Sequence, residues 1–130
     1  GMTLEIQIEH IRLGTWGWAG GGWDNDRNRQ LGFEKGCKSC SHFWDLNPDT
    51  LKGTNQHGHT VQLRPFMGVM GMPPNEPGIL GTGPPRFCGG NLDCKELIAG
   101  STLYLPIAVP NALFSTGDGH AVQGDGARIP

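Results

Sequence analysis

Ten residues near the C-terminal end, Gly117-Asp118-Gly119-His120-Ala121-Val122-Gln123-Gly124-Asp125-Gly126, set two carboxylates and an imidazole among glycines. In extended backbone alternate side chains share a face, so Asp118 and His120 point at one small volume. Gly119 between them lets the main chain pass close to whatever sits there. Such a pair can bind a metal ion or move a proton. Asp-Gly and Gly-Asp-Gly are also turn chemistry, needed wherever a strand reverses and φ turns positive, so this segment alone leaves both readings open. A further carboxylate, Asp93, follows Asn91 at the start of a stretch with helical character, with Lys95 two residues on. An asparagine caps a helix and an acid in its first turn is favoured by the free N–H groups and the dipole, so both residues also have an ordinary structural explanation.

The elements that must carry these groups are mostly strands. Leu4-Glu5-Ile6-Gln7-Ile8-Glu9 alternates apolar and polar, the period of a strand with one buried face. Thr15-Trp16-Gly17-Trp18 leads into Gly20-Gly21-Gly22 and a polar run, and residues 20 to 42 read as a long mobile excursion. His42-Phe43-Trp44-Asp45-Leu46 is a short apolar strand stopped by Asn47-Pro48-Asp49, followed by a polar loop through His59. Strands resume from Val61 to Met72, broken at Pro65 and Pro73-Pro74. Glycines and prolines between Gly78 and Gly90 deny regular structure. Asn91 then caps one short helix, Leu92 to Ile98, closed by Gly100. Residues 102–109 and 112–115, joined by Pro110-Asn111, read as a hairpin delivering the chain to Gly117, with Pro106 marking an edge or a bulge. No apolar 3.6-residue period lasts three turns. The expected fold is mainly β, a barrel or sandwich with one short helix and long irregular loops, in a single domain over residues 1–130.

The chain has 130 residues, with 10 Lys and Arg against 12 Asp and Glu, and a formal charge of -2. No basic stripe exists to hold a phosphate backbone, so nucleic acid is not an expected partner. No apolar run approaches a membrane span and the first residues lack a secretory layout, which makes the expected location cytoplasmic and no membrane partner expected. Gly1 ahead of Met2 reads as a tag remnant. Cys37 and Cys40 form a CxxC, but Cys88 and Cys94 are too widely spaced to complete the usual four-cysteine zinc pattern, so reduced unliganded thiols are expected.

The blocks Arg64-Pro-Phe-Met-Gly-Val-Met-Gly-Met-Pro-Pro-Asn-Glu-Pro-Gly78, Thr82-Gly-Pro-Pro-Arg86, Gly89-Gly-Asn-Leu-Asp93, Lys95, Ala99-Gly-Ser-Thr-Leu-Tyr-Leu-Pro106, Ala112-Leu-Phe-Ser115, Gly117-Asp-Gly-His-Ala121 and Gln123-Gly-Asp-Gly126 closely resemble the acetamidase/formamidase family. Leu4 to Ile11, Trp16-Gly17-Trp18 and Trp44-Asp45-Leu46 resemble it more loosely. The resemblance implies hydrolysis of short aliphatic amides such as formamide and acetamide to a carboxylate and ammonia, in a mainly β enzyme. Members are typically much longer, so the resemblance covers a central portion, truncated at both ends. Ala127 stands where the family has glutamate after Gly-Asp-Gly, and the family's earlier β segment is absent before Met2. The expectation is a polypeptide that does not turn over amides alone, and that forms a homo-oligomer or borrows the missing segments from a partner chain.

Amide hydrolysis needs an activated water, charge withdrawal from the carbonyl oxygen and a proton for the departing nitrogen. Under the resemblance Asp118 and His120 ligate a divalent metal, zinc in preference to magnesium because imidazole with carboxylate suits it better. Asp93 completes the ligand set or acts as base. Lys95 polarises a carbonyl or reaches solvent, Asn91 donates to an oxyanion or caps, and Asp125 is a weaker candidate. His57-Gly58-His59 has similar alternate spacing, but histidines in polar loops are generally solvated. The alternative is a non-catalytic β-sandwich module in which Trp16 and Trp18 present indole faces to a small ligand or carbohydrate, against the expectation that Trp16 and Trp44 fill core.

Overall fold

The computed structural model describes residues 1–21, 30 and 40–125. Among the described residues nine strands run in chain order: β1 Thr3–Gln7, β2 Trp16–Gly21, β3 Cys40–Asn47, β4 Lys52–Asn55, β5 Thr60–Gln62, β6 Phe66–Gly71, β7 Gly89–Asn91, β8 Thr102–Pro106 and β9 Ser115–His120. They form three open antiparallel sheets, β1-β8, β2-β3-β4-β5 and β7-β6-β9. The chain divides into two compact units, one of residues 1–13 and 63–130, the other of residues 14–62.

In the first unit the N-terminal alternation does what its period requires. Leu4 and Ile6 lie opposite Leu105 and Leu103 on β8. Ile6 and Leu103 pack against the buried residues Ile8, Met70 and Leu97, with Met67 of β6 in the same cluster. A second cluster, Met72, Cys88 and Leu105, continues the interior, so the unit is sandwich-like. Side chains of this size each contribute about 1.5–3 kcal/mol when buried. β6 is the central strand of its sheet and the most deeply placed, with Phe66 fully buried. The second unit is a four-stranded meander. Asn47 ends β3 as expected, its Oδ1 accepting from the N–H groups of Asp49 and Thr50 at 3.0 Å each.

The mainly β expectation holds, and three local readings are corrected. No helix forms at Leu92–Ile98, nor anywhere within residues 40–125. Asn91 is a ladder residue opposite Val69, Leu92 and Asp93 both donate to the Gly68 carbonyl, and only isolated turns such as Leu97 N–H to Cys94 O follow. Seven residues gain few internal bonds to offset helix nucleation, and Asp93 at φ of 44° lies outside the right-handed helical region. Residues 102–109 and 112–115 do not pair: β8 is taken by β1 and β9 by β6. Asn111, Ala112 and Leu113 have φ of 64, 59 and 57°, three consecutive left-handed residues that turn the chain out of one sheet and into the other. The expected polar loop through His59 contains β4 and the turn that joins it to β5. Pro106 does sit on an edge, at the end of a two-stranded ribbon. Among the described residues no helix is long and apolar enough to cross a membrane.

Candidate metal centre

Asp118 and His120 reach one place because β9 is extended, and what fixes that place is its neighbour β6. Phe66 lies opposite His120, and their rings stack with centroids 4.6 Å apart and planes 30° apart. Two residues along β6, Gly68 faces Asp118 where the ladder skips a pair: Met67 is paired with Gly119 and Val69 with Gly117, and Asp118 takes φ of 52°. Asp93 enters from the end of β7. The N–H groups of Leu92 and Asp93 both donate to Gly68 O, at 2.9 and 3.0 Å, and Asp93 itself is left-handed with φ of 44°.

The three functional groups converge. His120 Nε2 is 3.1 Å from Asp118 Oδ2 and 3.4 Å from Asp93 Oδ1, and the three candidate ligand atoms all lie within 4.8 Å of one another. Asp93 and His120 side chains are each 24% exposed and that of Asp118 52%, so the group is a half-sheltered cleft open on the Asp118 side. Gly68 is its floor. A Cβ there would stand 2.7 Å from Asp118 Oδ2, 2.7 Å from His120 Nε2 and 2.9 Å from Asp93 Oδ1. Its φ lies outside the left-handed region, so space rather than backbone freedom demands glycine.

The donor set suits a divalent cation. Ligand atoms about 2.0–2.1 Å from a tetrahedral zinc are about 3.3 Å apart, which matches the two distances from His120. Asp93 Oδ1 is buried without a hydrogen-bond partner, an arrangement that is costly unless something positive occupies the cleft. Protonated imidazole between two carboxylates would make the same short approaches, and either occupant supplies positive charge.

The remaining candidates lie outside this group. Lys95, expected to reach solvent or a carbonyl, is paired with Asp125, and the ammonium holds that carboxyl below its usual value of 3.8. The pair is exposed on the Asp125 side, where ion pairs contribute little. Asn91 donates from Nδ2 to Gly83 O at 3.2 Å. Gln123, three residues after His120, donates from Nε2 to Asp93 O at 2.8 Å. Neither Gly68 nor Gln123 was singled out by spacing. A glycine inside a strand is a known mark of close approach, and that signal points to Gly68.

Elsewhere, in the second unit, the rings of His42 and His57 meet edge to face with centroids 5.5 Å apart, and those of His57 and His59 are tilted with centroids 6.2 Å apart. Asn55 organises their hairpin: its Oδ1 accepts from His57 N and His59 N, and Nδ2 lies 3.3 Å from His59 Nδ1. The tryptophan expectation needs correcting, since Trp16 is 68% and Trp18 64% exposed while Trp44 is partly buried. Both indoles occupy one sheet face with Phe43, which lies opposite Trp18. Cys88 and Cys94 are free thiols. Cys37, Trp23, Ala127 and most of residues 20–42 lie outside the described residues.

Residues 76–128 match the Acetamidase/Formamidase family. The matched segment is 53 of the 130 residues. A formamidase from Methylophilus methylotrophus is 51% identical over 45 residues, covering 35% of this chain and 11% of its own length. An acetamidase from Mycolicibacterium smegmatis is 49% identical over 45 residues, with the same coverage of 35% and 11%. The crystal structure of an acetamidase from Bacillus halodurans superposes with a TM-score of 0.79 at 34% identity, covering 95% of this chain and 40% of that one. The chain thus spans well under half the length of these acetamidase/formamidase proteins.

Proposed function

We propose that the chain carries the Asp93–Asp118–His120 centre of an amide hydrolase, acting with a divalent metal, zinc favoured, on short aliphatic amides such as formamide and acetamide. The observation that carries the reading is the convergence of two carboxylates and one imidazole over Gly68, with a buried carboxylate oxygen on Asp93 that accepts no hydrogen bond. The family match and the acetamidase likeness support amide hydrolysis as the chemistry.

A divalent ion, when bound, supplies the positive charge that polarises a carbonyl and acidifies water. Asp93 and His120, the more sheltered groups, would hold it, with Phe66 fixing the plane of the imidazole from beneath. Asp118 is half exposed and presents a carboxylate to incoming solvent, so it is the group suited to accept a proton from water and return it to the departing nitrogen. Lys95 and Asn91 are engaged with Asp125 and Gly83, and the reading gives them no proton to move.

Zinc titration of the chain by calorimetry tests this, at a pH where His120 is neutral. About one tightly held ion per chain, lost in His120→Ala, is expected. No binding, or binding that survives His120→Ala, removes the reading. Ammonia release from formamide and acetamide by zinc-loaded protein then tests the substrate class.

A second reading is favoured by the exposed face of Trp16, Trp18 and Phe43: a non-catalytic module binding a carbohydrate chain. Titration with cellohexaose should quench tryptophan fluorescence under that reading, with the response lost in Trp18→Ala, and should leave it unchanged under the hydrolase reading.

A further inference from the structure

We propose that Gln123 is a positioning residue for the centre, holding Asp93 in the left-handed conformation that turns its carboxylate toward His120. The inference rests on the metal reading above and goes beyond it in assigning a determinant of the ligand geometry.

A non-glycine residue in the left-handed region is strained and persists only where its surroundings over-determine it. Asp93, at φ of 44°, is such a residue. Its flanking peptide groups are both tied. On the N-terminal side its N–H donates to Gly68 O at 3.0 Å. On the C-terminal side its carbonyl accepts from Gln123 Nε2 at 2.8 Å. Removing either tie frees one of the two torsions that aim the carboxylate. The Gly68 tie is backbone to backbone, so any side chain at position 93 keeps it. The Gln123 tie is the one that sequence controls.

Its placement is also economical. Gln123 lies three residues after His120, so a single short segment leaving β9 provides one candidate ligand and the clamp on another. Lys95 and Asp125 bridge the same two loops two residues further along, but Asp125 is 86% exposed. That ion pair is therefore the weaker fastening. The partly buried amide of Gln123, with its donor aimed at a carbonyl, is the restraint that survives salt. Partners that orient ligands in this way typically change metal affinity by about 10- to 100-fold when removed.

A merely structural stitch would predict something different, namely lost stability with unchanged affinity. Gln123→Glu keeps the shape and replaces the donor by an acceptor facing a carbonyl oxygen. Gln123→Leu removes all polarity. Gln62→Leu is the control, deleting a similar bond from Gln62 Nε2 to Leu51 O in the other unit. Each is titrated with Co²⁺ alone, following the visible absorption of the ion and the dissociation constant, with near-ultraviolet circular dichroism to establish that the fold is kept.

The expected result is affinity about tenfold or more weaker in both Gln123 variants, with altered cobalt absorption, and unchanged behaviour in Gln62→Leu. If Gln123→Leu does not fold, Gln123→Glu carries the comparison. Wild-type affinity and spectrum in a folded Gln123→Glu would overturn the positioning role while leaving the metal reading intact. Failure of the wild-type chain to bind Co²⁺ would instead remove the metal reading on which this inference stands.

Discussion

Gly68→Ala is the sharpest probe of the centre, because it adds one methyl group at the point where all three candidate ligands meet. The new Cβ would lie 2.7, 2.7 and 2.9 Å from Asp118 Oδ2, His120 Nε2 and Asp93 Oδ1, whereas ordinary contacts begin at 3.4 Å. Each ligand atom must therefore retreat by at least about 0.5–0.7 Å, well beyond the roughly 0.2 Å tolerance of metal–ligand distances. Three simultaneous displacements should weaken zinc binding by on the order of 100-fold, judged against the roughly 10- to 100-fold losses caused by disturbing outer partners alone. The cost to folding is smaller. Overpacking in closed cores costs about 1–3 kcal/mol, but here the obstructed atoms are side-chain ends and Asp118 is half exposed, so about 1 kcal/mol is expected. The assay is zinc calorimetry beside urea unfolding of the same samples. Zinc bound by Gly68→Ala as tightly as by wild type would refute the assignment, since Asp93 and His120 could not then be the groups that hold the ion over that Cα.

Three further outcomes test the surroundings. Phe66→Ala removes a fully buried ring that also floors His120, and urea unfolding should show a loss of about 3–5 kcal/mol; a loss under about 1 kcal/mol would place the ring outside the core. Asn55→Ala removes the buried acceptor of two backbone N–H groups at an otherwise exposed turn, so destabilisation of about 0.5–1.5 kcal/mol is expected, with faster amide exchange at His57 and His59. Asp125 titrates below 3.8 because the charged form is favoured by Lys95. Its contribution is therefore present above 3.8 and is lost as pH falls through the depressed value. Carboxyl NMR should show the titration returning to the usual value in Lys95→Met.

Much of the centre was legible in sequence because its two β9 residues obey the simplest rule available. A period of two puts Asp118 and His120 on one face whatever the surrounding fold. Asp93 was legible only as an acid beside Asn91, and the helix offered as its explanation does not exist, because Asp93 takes a left-handed φ of 44° that a right-handed helix cannot contain. The β8–β9 hairpin failed for a related reason. Asn111 tolerates a left-handed conformation, but Ala112 and Leu113 carry no sign that they adopt it. Sheet partners are set by such turns and by long-range packing, and local propensity does not report either. Gln123 left no signal at all, since an amide side chain in a loop acquires meaning only when a distant carbonyl arrives opposite it.

The backbone strain and the charges at this centre lead to the same requirement. Among the described residues six non-glycine positions have positive φ, and two of them are Asp93 and Asp118, the carboxylates of the group. Each left-handed residue costs roughly 1–2 kcal/mol, and β9 gives up a regular pair opposite Gly68 to accommodate one of them. A strand that needed only a left-handed position there could have used glycine, which adopts it without that cost, as Gly89 and Gly90 do on β7. What the strain achieves is to bring two negative groups within 4.8 Å of each other, a repulsion on the order of 3 kcal/mol at an effective dielectric of about 20, reduced by solvent at Asp118. Strain and repulsion oppose folding together, and a cation between the carboxylates would offset the repulsion. An imidazolium at His120 leaves one negative charge uncompensated, whereas a divalent ion beside the neutral ring leaves none.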